Sequence, residues 1–382
     1  MQRIRFKEKS AKYYLRNLYN NIEKGGICLI KRIGRHTIEF TEMPRVVGAA
    51  AVVGKKESEG PLAQWFDRTI IDTTMGGETW EKAEALFQKE AVTIATVKSG
   101  VKCENIDYIF AGDLLNQCIS SSYGLRDFGI PFLGQYGACS TMAQTIACAS
   151  VFVESGAGDI CAAVTSSHFC SAERQFRFPL QYGGQRTPTA QWTVTGSGSM
   201  VISAAENGSL KKPELIANES ELKDQIAVKH ICTGKIIDMG ITDANNMGSA
   251  MAGAAADTIY RFLSDTNTAP NDYDMIVTGD LGKVGTEILY ELLERENINI
   301  RDNHKDCGLM IFDLNEQDVH SGGSGCGCSA SVLCSYIYMN MLTKKLNNIL
   351  FVATGALMSP TIVQQGESIP GIAHLVHFVN IK

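Results

Sequence analysis

Apolar residues in this chain fall into short dense runs separated by stretches of helical period. Arg45-Val-Val-Gly-Ala-Ala-Ala-Val-Val53 is almost continuously apolar, the pattern of a strand buried on both faces. Across residues 79–99 the positions Trp80, Ala83, Phe87, Ala91, Ile94 and Val97 recur at helical spacing, and Gly100 supplies a terminator. Residues 106–113 read as a strand. Residues 140–156 read as a helix of small residues, opened by Ser140 or Thr141 as cap and closed by Gly156, and residues 160–165 as the next strand. A second round follows: a helix over 249–263, a strand ending at Asp280, a helix over 284–296, a helix running to Lys345 behind the glycine-rich Gly322-Gly-Ser-Gly-Cys-Gly-Cys-Ser329, and strands over 349–354 and 372–379. Strand and helix alternate throughout, which predicts an α/β architecture.

The two rounds echo each other. With Cys139 set against Cys328, Thr165 falls on Thr354, each 26 residues on. Upstream, the strand ending in Gly-Asp113-Leu is matched by the one ending in Gly-Asp280-Leu. This predicts two related halves, residues 45–209 and 230–382, with charged residues 210–229 as the linker.

Candidate chemistry gathers where strands end and helices begin. Cys139 stands at the start of a helix, where backbone N–H groups and the helix dipole stabilise a thiolate or attract a ligand carboxylate. A buried, inert cysteine is the alternative on local evidence. Asp113, Asn116 and Asp280 emerge at strand ends, where open α/β sheets bind ligands. The long connection over 166–193 carries His168, Arg174 and Arg177, and the two arginines, three apart, suit bidentate recognition of a carboxylate or, equally, salt bridging. The expected site therefore draws on Asp113, Asn116, Cys139, Ser140, His168, Asp280 and Ser324, with Arg174 or Arg177 folding inward. His374 and His377, in the last strand, read as structural.

Composition narrows the function classes. The chain is 45% hydrophobic and 20% charged, and no apolar run approaches the ~18 residues of a membrane span. Twelve cysteines without a Cys-x-x-Cys pair or zinc-spaced histidines argue against a disulfide framework and a metal site, and for a reducing compartment. Residues 1–36 hold ten Lys or Arg against Glu8 and Glu23, leaving 25 basic and 39 acidic residues for the remainder. That extension reads either as a basic amphipathic helix around residues 11–22 for an anionic surface or as a loosely ordered piece, and it lacks the apolar core of a secretory signal. An acidic body without a basic stripe excludes nucleic acid as a partner.

Several stretches, in order, resemble a known family: Ala111-Gly-Asp-Leu-Leu-Asn-Gln117, Gly137-Ala-Cys-Ser-Thr141, Ser166-Ser-His168, Ala172-Glu-Arg-Gln-Phe-Arg177, Tyr182-Gly-Gly184, Thr195-Gly-Ser-Gly198 and Gly322-Gly-Ser-Gly325. Together they resemble the stage V sporulation protein AD family, within the thiolase and ketoacyl synthase fold, over about residues 45–382. The resemblance implies a duplicated α-β-α-β-α five-layer sandwich with pseudo-twofold halves, commonly a homodimer. It also implies a soluble protein without signal peptide or cofactor, peripheral to the spore inner membrane. Such a protein binds dipicolinic acid, alone or as its calcium chelate, and acts with membrane subunits of one transport assembly to load the developing spore. The alternative is an acyl-CoA-using thiolase or ketoacyl synthase with Cys139 as nucleophile and His320 as its partner. Against it, His320-Ser-Gly-Gly-Ser-Gly325 is one residue shorter than the thiolase Gly-His-Pro-x-Gly-x-Ser-Gly segment and has no proline, no His-x-Asn pair is present, and Asp280 stands where a synthase histidine would be useful.

Overall fold

The computed structural model describes residues 30–176, 186–216 and 225–381. Its main strands are β1 (Ile30–Ile33), β2 (Thr37–Phe40), β3 (Arg45–Gly54), β4 (Tyr108–Gly112), β5 (Phe132–Gly134), β6 (Ile160–Ser167), β7 (Gly196–Ser203), β8 (Ile226–Cys232), β9 (Met275–Thr278), β10 (His304–Asp306), β11 (Asn348–Ala356) and β12 (Gly371–Asn380), with a three-residue strand, Arg68–Ile70, parallel to β3 and short two-stranded ribbons besides. The helices that matter here are α1 (Trp80–Ser99), α2 (Ile119–Leu125), α3 (Thr141–Glu154), α4 (Phe169–Phe176), α5 (Met247–Thr266), α6 (Gly282–Arg295), α7 (Cys326–Val332) and α8 (Tyr338–Leu342).

The duplication is visible in the strand order. One half runs β5-β4-β6-β7-β3 and the other β10-β9-β11-β12-β8, and the directions agree pair by pair: the first three strands of each are parallel and the last two join antiparallel. Among the described residues the pairing of Ala227 with Arg45 links the half-sheets. Thr165 pairs with Gly198 in one half and Thr354 with Ala373 in the other, as the 26-residue spacing anticipates.

Helices α3 and α7 lie between the half-sheets. Met142, Ala143, Ile146 and Ala149 of α3 and Ala330 and Val332 of α7 share one core with Phe110 and Ala163 of the first sheet and Val277 and Phe351 of the second. Helix α1 covers the outer face of the first sheet through Val92 and Ala95, and α5 covers that of the second through Met251, Ala254 and Phe262. Five layers result. Small residues set their spacing: a Cβ on Gly198 of β7 would stand 2.3 Å from the Ala330 carbonyl oxygen, so α7 can lie this close to the sheet only over a glycine.

Local chemistry explains the ends of α1. Thr79 accepts from the Lys82 N–H at its start, and Gly100 at φ 70° closes it. The second central helix is not continuous as the sequence pattern predicts: α7 passes into a π segment, Leu333–Ile337, before α8. There the Ser335 hydroxyl donates to the Ser331 carbonyl at 2.6 Å, competing with the backbone for that acceptor. Two further expectations are corrected. Residues 30–36 are not a loose extension, because β1 and β2 form a hairpin on β8, and the Asp265 carboxylate accepts from the N–H groups of Arg35, His36 and Thr37 and from the Thr37 hydroxyl. The 210–229 linker already contains the start of β8; residues 1–29 and 217–224 lie outside the described residues. His377 faces His230 at 2.8 Å and Asn348 at 2.5 Å, and His374 accepts from Gly234 N–H at 3.2 Å, so both serve structure as read.

Two outcomes follow. Gly198→Val should cost about 1–3 kcal/mol or more, since the obstructing atom is backbone, read as a lower denaturant midpoint at unchanged slope. Burial also lifts the carboxyl group of Glu57, which accepts from Thr195 N–H, to about 7, and that of Glu84, which accepts from Ser166 and Ser171, to about 8. A carboxyl that binds its proton more readily in the fold than in the unfolded chain stabilises the fold fully below the unfolded value, near ~4.3, and that contribution is lost as pH rises through the folded values. Relative to Glu84→Gln, the wild type should therefore lose thermal stability as pH rises from about 5.5 to 8.5.

Candidate functional site

Cys139 sits on a tight elbow. Ala138 adopts φ 49°, and β11 presses against the turn: a Cβ on Gly355 would stand 2.5 Å from the Gly137 carbonyl oxygen and 3.2 Å from the Cys139 nitrogen. Hydroxyls of the elbow turn inward to hold it. Ser140 donates to the Gly137 carbonyl at 2.6 Å, and Thr141 donates to the Ala138 carbonyl at 2.6 Å while accepting from Gly137 N–H at 3.0 Å. Neither hydroxyl caps α3 by accepting from the helix, and that of Ser140 is committed away from any ligand.

Opposite the thiol stand Ser324 and Asp280. The Ser324 Oγ lies 3.9 Å from the Cys139 Sγ and donates to the Asp280 Oδ2 at 3.0 Å. The same oxygen accepts from Gly325 N–H at 2.9 Å, and Oδ1 accepts from the Thr354 hydroxyl at 2.7 Å. Asp280 is fully buried, and burial outweighs these donors, pushing its carboxyl up to about 6. Burial first, then the Asp280 charge, drives the Cys139 thiol well above its ordinary range. The helix start therefore does not yield the thiolate that its position suggests.

These residues open on a cavity of about 40 Å³, room for about three waters. Leu114, Phe176, Met247 and Met358 give it apolar walls; Glu173, Gln191 and Ser324 give it polar ones. Gln191 donates to the main-chain oxygens of Asp280 and Gly323, both at 2.7 Å, and buried Glu173 accepts from Thr193 at 3.4 Å. Among the described residues no Lys, Arg or His lines the cavity. Tyr136, Phe176 and Met358 also line an adjoining groove of about 380 Å³, which carries Asn116, Gln117, Gln175 and Ser359 and no charged side chain among the described residues. Gln175 ties the two walls together, accepting from Asn116 N–H at 3.2 Å and donating to the Leu114 carbonyl at 3.1 Å.

Of the residues expected from sequence, Cys139, Asp280 and Ser324 come together here, and Asn116 lies in the adjoining groove. Others are drawn off. Asp113 spends both oxygens on its own turn, accepting from Leu115 N–H at 2.9 Å and from the Ser121 N–H and hydroxyl at 2.9 and 2.6 Å. His168 is buried away from the cavity, with Nε2 at 2.9 Å from the Thr73 carbonyl and Nδ1 accepting from Cys170 N–H. Arg174 pairs with Glu81 and lies over the Trp80 ring in a surface groove beside α1 and α2. His320, exposed, places one nitrogen 2.7 Å from the Thr187 carbonyl and the other 3.0 Å from Asp318, and does not line the cavity. Arg177 lies outside the described residues. Sequence reading missed Tyr136, Glu173, Phe176, Gln191 and Met358, which come from irregular segments or a short helix without a periodic signal.

The contrast between the equivalent acids has a local cause. In the second half Asp306, at the end of β10, accepts from Leu281 and Gly282 N–H at 2.8 and 3.0 Å, and so holds the turn after β9. Asp280 is thereby released toward Ser324. In the first half β5 ends in Gly134, which offers no carboxylate, and Asp113 must hold its own turn.

The stage V sporulation protein AD family model matches residues 34–379. The chain is 43% identical over 349 residues to stage V sporulation protein AD of Bacillus subtilis (strain 168), covering 91% of this chain and 98% of that protein. Among solved structures, 3-oxoacyl-[acyl-carrier-protein] synthase III from Aquifex aeolicus VF5 aligns with a TM-score of 0.52 at 13% identity, over 87% of this chain and 99% of its own. Cerulenin-bound OleA of Xanthomonas campestris aligns with a TM-score of 0.54 at 12% identity, over 91% and 97%. At such identities these structures speak to the fold alone, a thiolase-like one. The chain thus belongs to the stage V sporulation protein AD family and is a sporulation protein on a thiolase-like scaffold.

Proposed function

We propose that the chain is a noncatalytic receptor for dipicolinic acid, as free acid or calcium chelate, that serves its loading into the developing spore beside membrane subunits of one transport assembly. The observation that carries this reading is the pairing of Cys139 with Ser324 and a buried carboxylate rather than with a histidine. Acyl transfer through a cysteine needs a thiolate and a group to carry the proton. Asp280 opposes the thiolate, and His168 and His320 hold their ring nitrogens on other partners. What is left is a pocket with apolar walls for a flat ring and a polar end at Ser324 and Gln191 for its substituents. The groove beside it widens the space available to a ligand larger than the cavity itself.

The location at the spore inner membrane belongs to the same proposal, as peripheral attachment; no helix among the described residues is long and apolar enough to cross a membrane. So does a homodimer. Strand β5 ends the first half-sheet and pairs only with β4 among the described residues, and its Phe132 and Leu133, with Ile119 and Tyr123 of α2, are exposed. An edge of this kind suits isologous pairing with a second copy.

The competing reading, an acyl-CoA-using thiolase or synthase, draws on the place of Cys139 at the mouth of a central helix in a fold shared with condensing enzymes. Two measurements separate them. The purified protein should neither hydrolyse nor condense acyl-CoA, and turnover abolished by Cys139→Ser would establish the enzyme instead. Calorimetry with dipicolinate should show saturable binding that Ala356→Phe, which fills the cavity from the end of β11, weakens at least about tenfold, or ~1.4 kcal/mol. Unchanged affinity in a folded Ala356→Phe protein would place the site elsewhere.

A further inference from the structure

We propose that Asp280 makes ligand capture in the Cys139 cavity proton-coupled: a carboxylate that enters beside Ser324 is accepted together with one proton from solvent, which comes to rest on Asp280. This rests on the reading above, that the cavity takes an anionic dicarboxylate.

The geometry turns on a single hydroxyl. Ser324 lines the cavity with Cys139 and links it to the Asp280 Oδ2. A serine has one proton to donate, and here that proton goes to Asp280. An arriving carboxylate needs it. If Ser324 turns its proton to the ligand, Asp280 loses a donor and gains a negative neighbour in a site shielded from water, and both changes favour its protonated form. The protonated acid then donates to the Ser324 oxygen, and Ser324 donates to the ligand. One proton enters from solvent, no covalent bond other than the new O–H is made or broken, and Cys139 stays a thiol able to donate as well.

Nothing facing Asp280 among the described residues removes the need for that proton. From the start of α3 comes Cys139, from α7 Cys328, and from the segment after β10 Cys307, all thiols kept neutral by burial. Asp306, at the end of β10, is a further acid whose oxygens are occupied by Thr278 and by the N–H groups of Leu281, Gly282 and Leu309. Glu173 of α4 lines the same cavity. No Lys, Arg or His lines it among the described residues, so an anion meets acids and neutral donors only. Asp280, pushed up to about 6, is mostly ionised near neutral pH and close enough to titration for a second anion to tip it.

Calorimetry with dipicolinate, free of divalent metal, in paired buffers of different ionisation enthalpy tests this. Carboxylic acids ordinarily titrate near ~4, so the ligand's own carboxyl groups stay ionised throughout the range used. Near pH 7 the wild-type protein should take up close to one proton per ligand, and affinity should fall by up to about tenfold per unit between pH 6.5 and 8. Asp280→Asn should bind without uptake and with an affinity flat in pH, whereas Glu173→Gln should keep the uptake. Binding by the wild type without uptake, or uptake that survives Asp280→Asn and disappears with Glu173→Gln, would overturn the coupling through Asp280 while leaving the receptor reading intact. No binding at any pH would remove that reading and this one with it. Should Asp280→Asn fail to fold, the proton count of the wild type decides alone.

Discussion

The carboxylate of Asp280 joins the parts of the molecule that meet at the candidate site. It follows the end of β9, and its oxygens accept from Thr354 on β11 and from Ser324 and Gly325 at the start of α7, so three segments distant in sequence are fixed to one another around a buried charge. The arrangement is satisfied but not neutral. A charge removed from water is tolerated when several donors point at it, and it then dominates the electrostatics of whatever lies within a few ångströms. Here that neighbour is the Cys139 thiol. A carboxylate in this place and a reactive thiolate are incompatible demands, and the fold has met the first.

That choice depends on what each duplicated half does with its turn. Both halves end their second strand in an aspartate, but only the second has another acid, Asp306, in position to hold the following N–H groups. Asp280 is left to face the centre, and Asp113 is consumed locally. Two copies of one pattern thereby acquire different roles through a single difference on the neighbouring strand.

Much of the architecture could be read from the residues because it is written in periodicity: the apolar run of β3, the helical stripe and terminator of α1, and the 26-residue spacings that tie Cys139 to Thr165 and Cys328 to Thr354. The hairpin at residues 30–40 escaped because Lys31 and Arg32 lie on an exposed edge strand, where polarity hides β structure. At the site, the strand-end argument found Asp280, Ser324 and Cys139, but it also nominated Asp113 and His168, since spacing does not reveal whether a polar side chain is already taken by nearby donors or acceptors. Tyr136, Gln191 and Met358 carry no signal of their own; they line the cavity because of where irregular segments are held.

The central claim, that burial and the carboxylate of Asp280 together hold Cys139 as an unreactive thiol, is tested most directly by alkylating the protein with iodoacetamide across pH and following Cys139 by peptide mass spectrometry, in wild type and Asp280→Asn. In the wild type, modification should stay slow through neutral pH and rise only above the ordinary thiol value near 9, and removal of the charge should move that rise to lower pH. A wild-type Cys139 that alkylates rapidly with a midpoint at or below ~7, the range of activated cysteines, would contradict the account and return the site to nucleophilic chemistry.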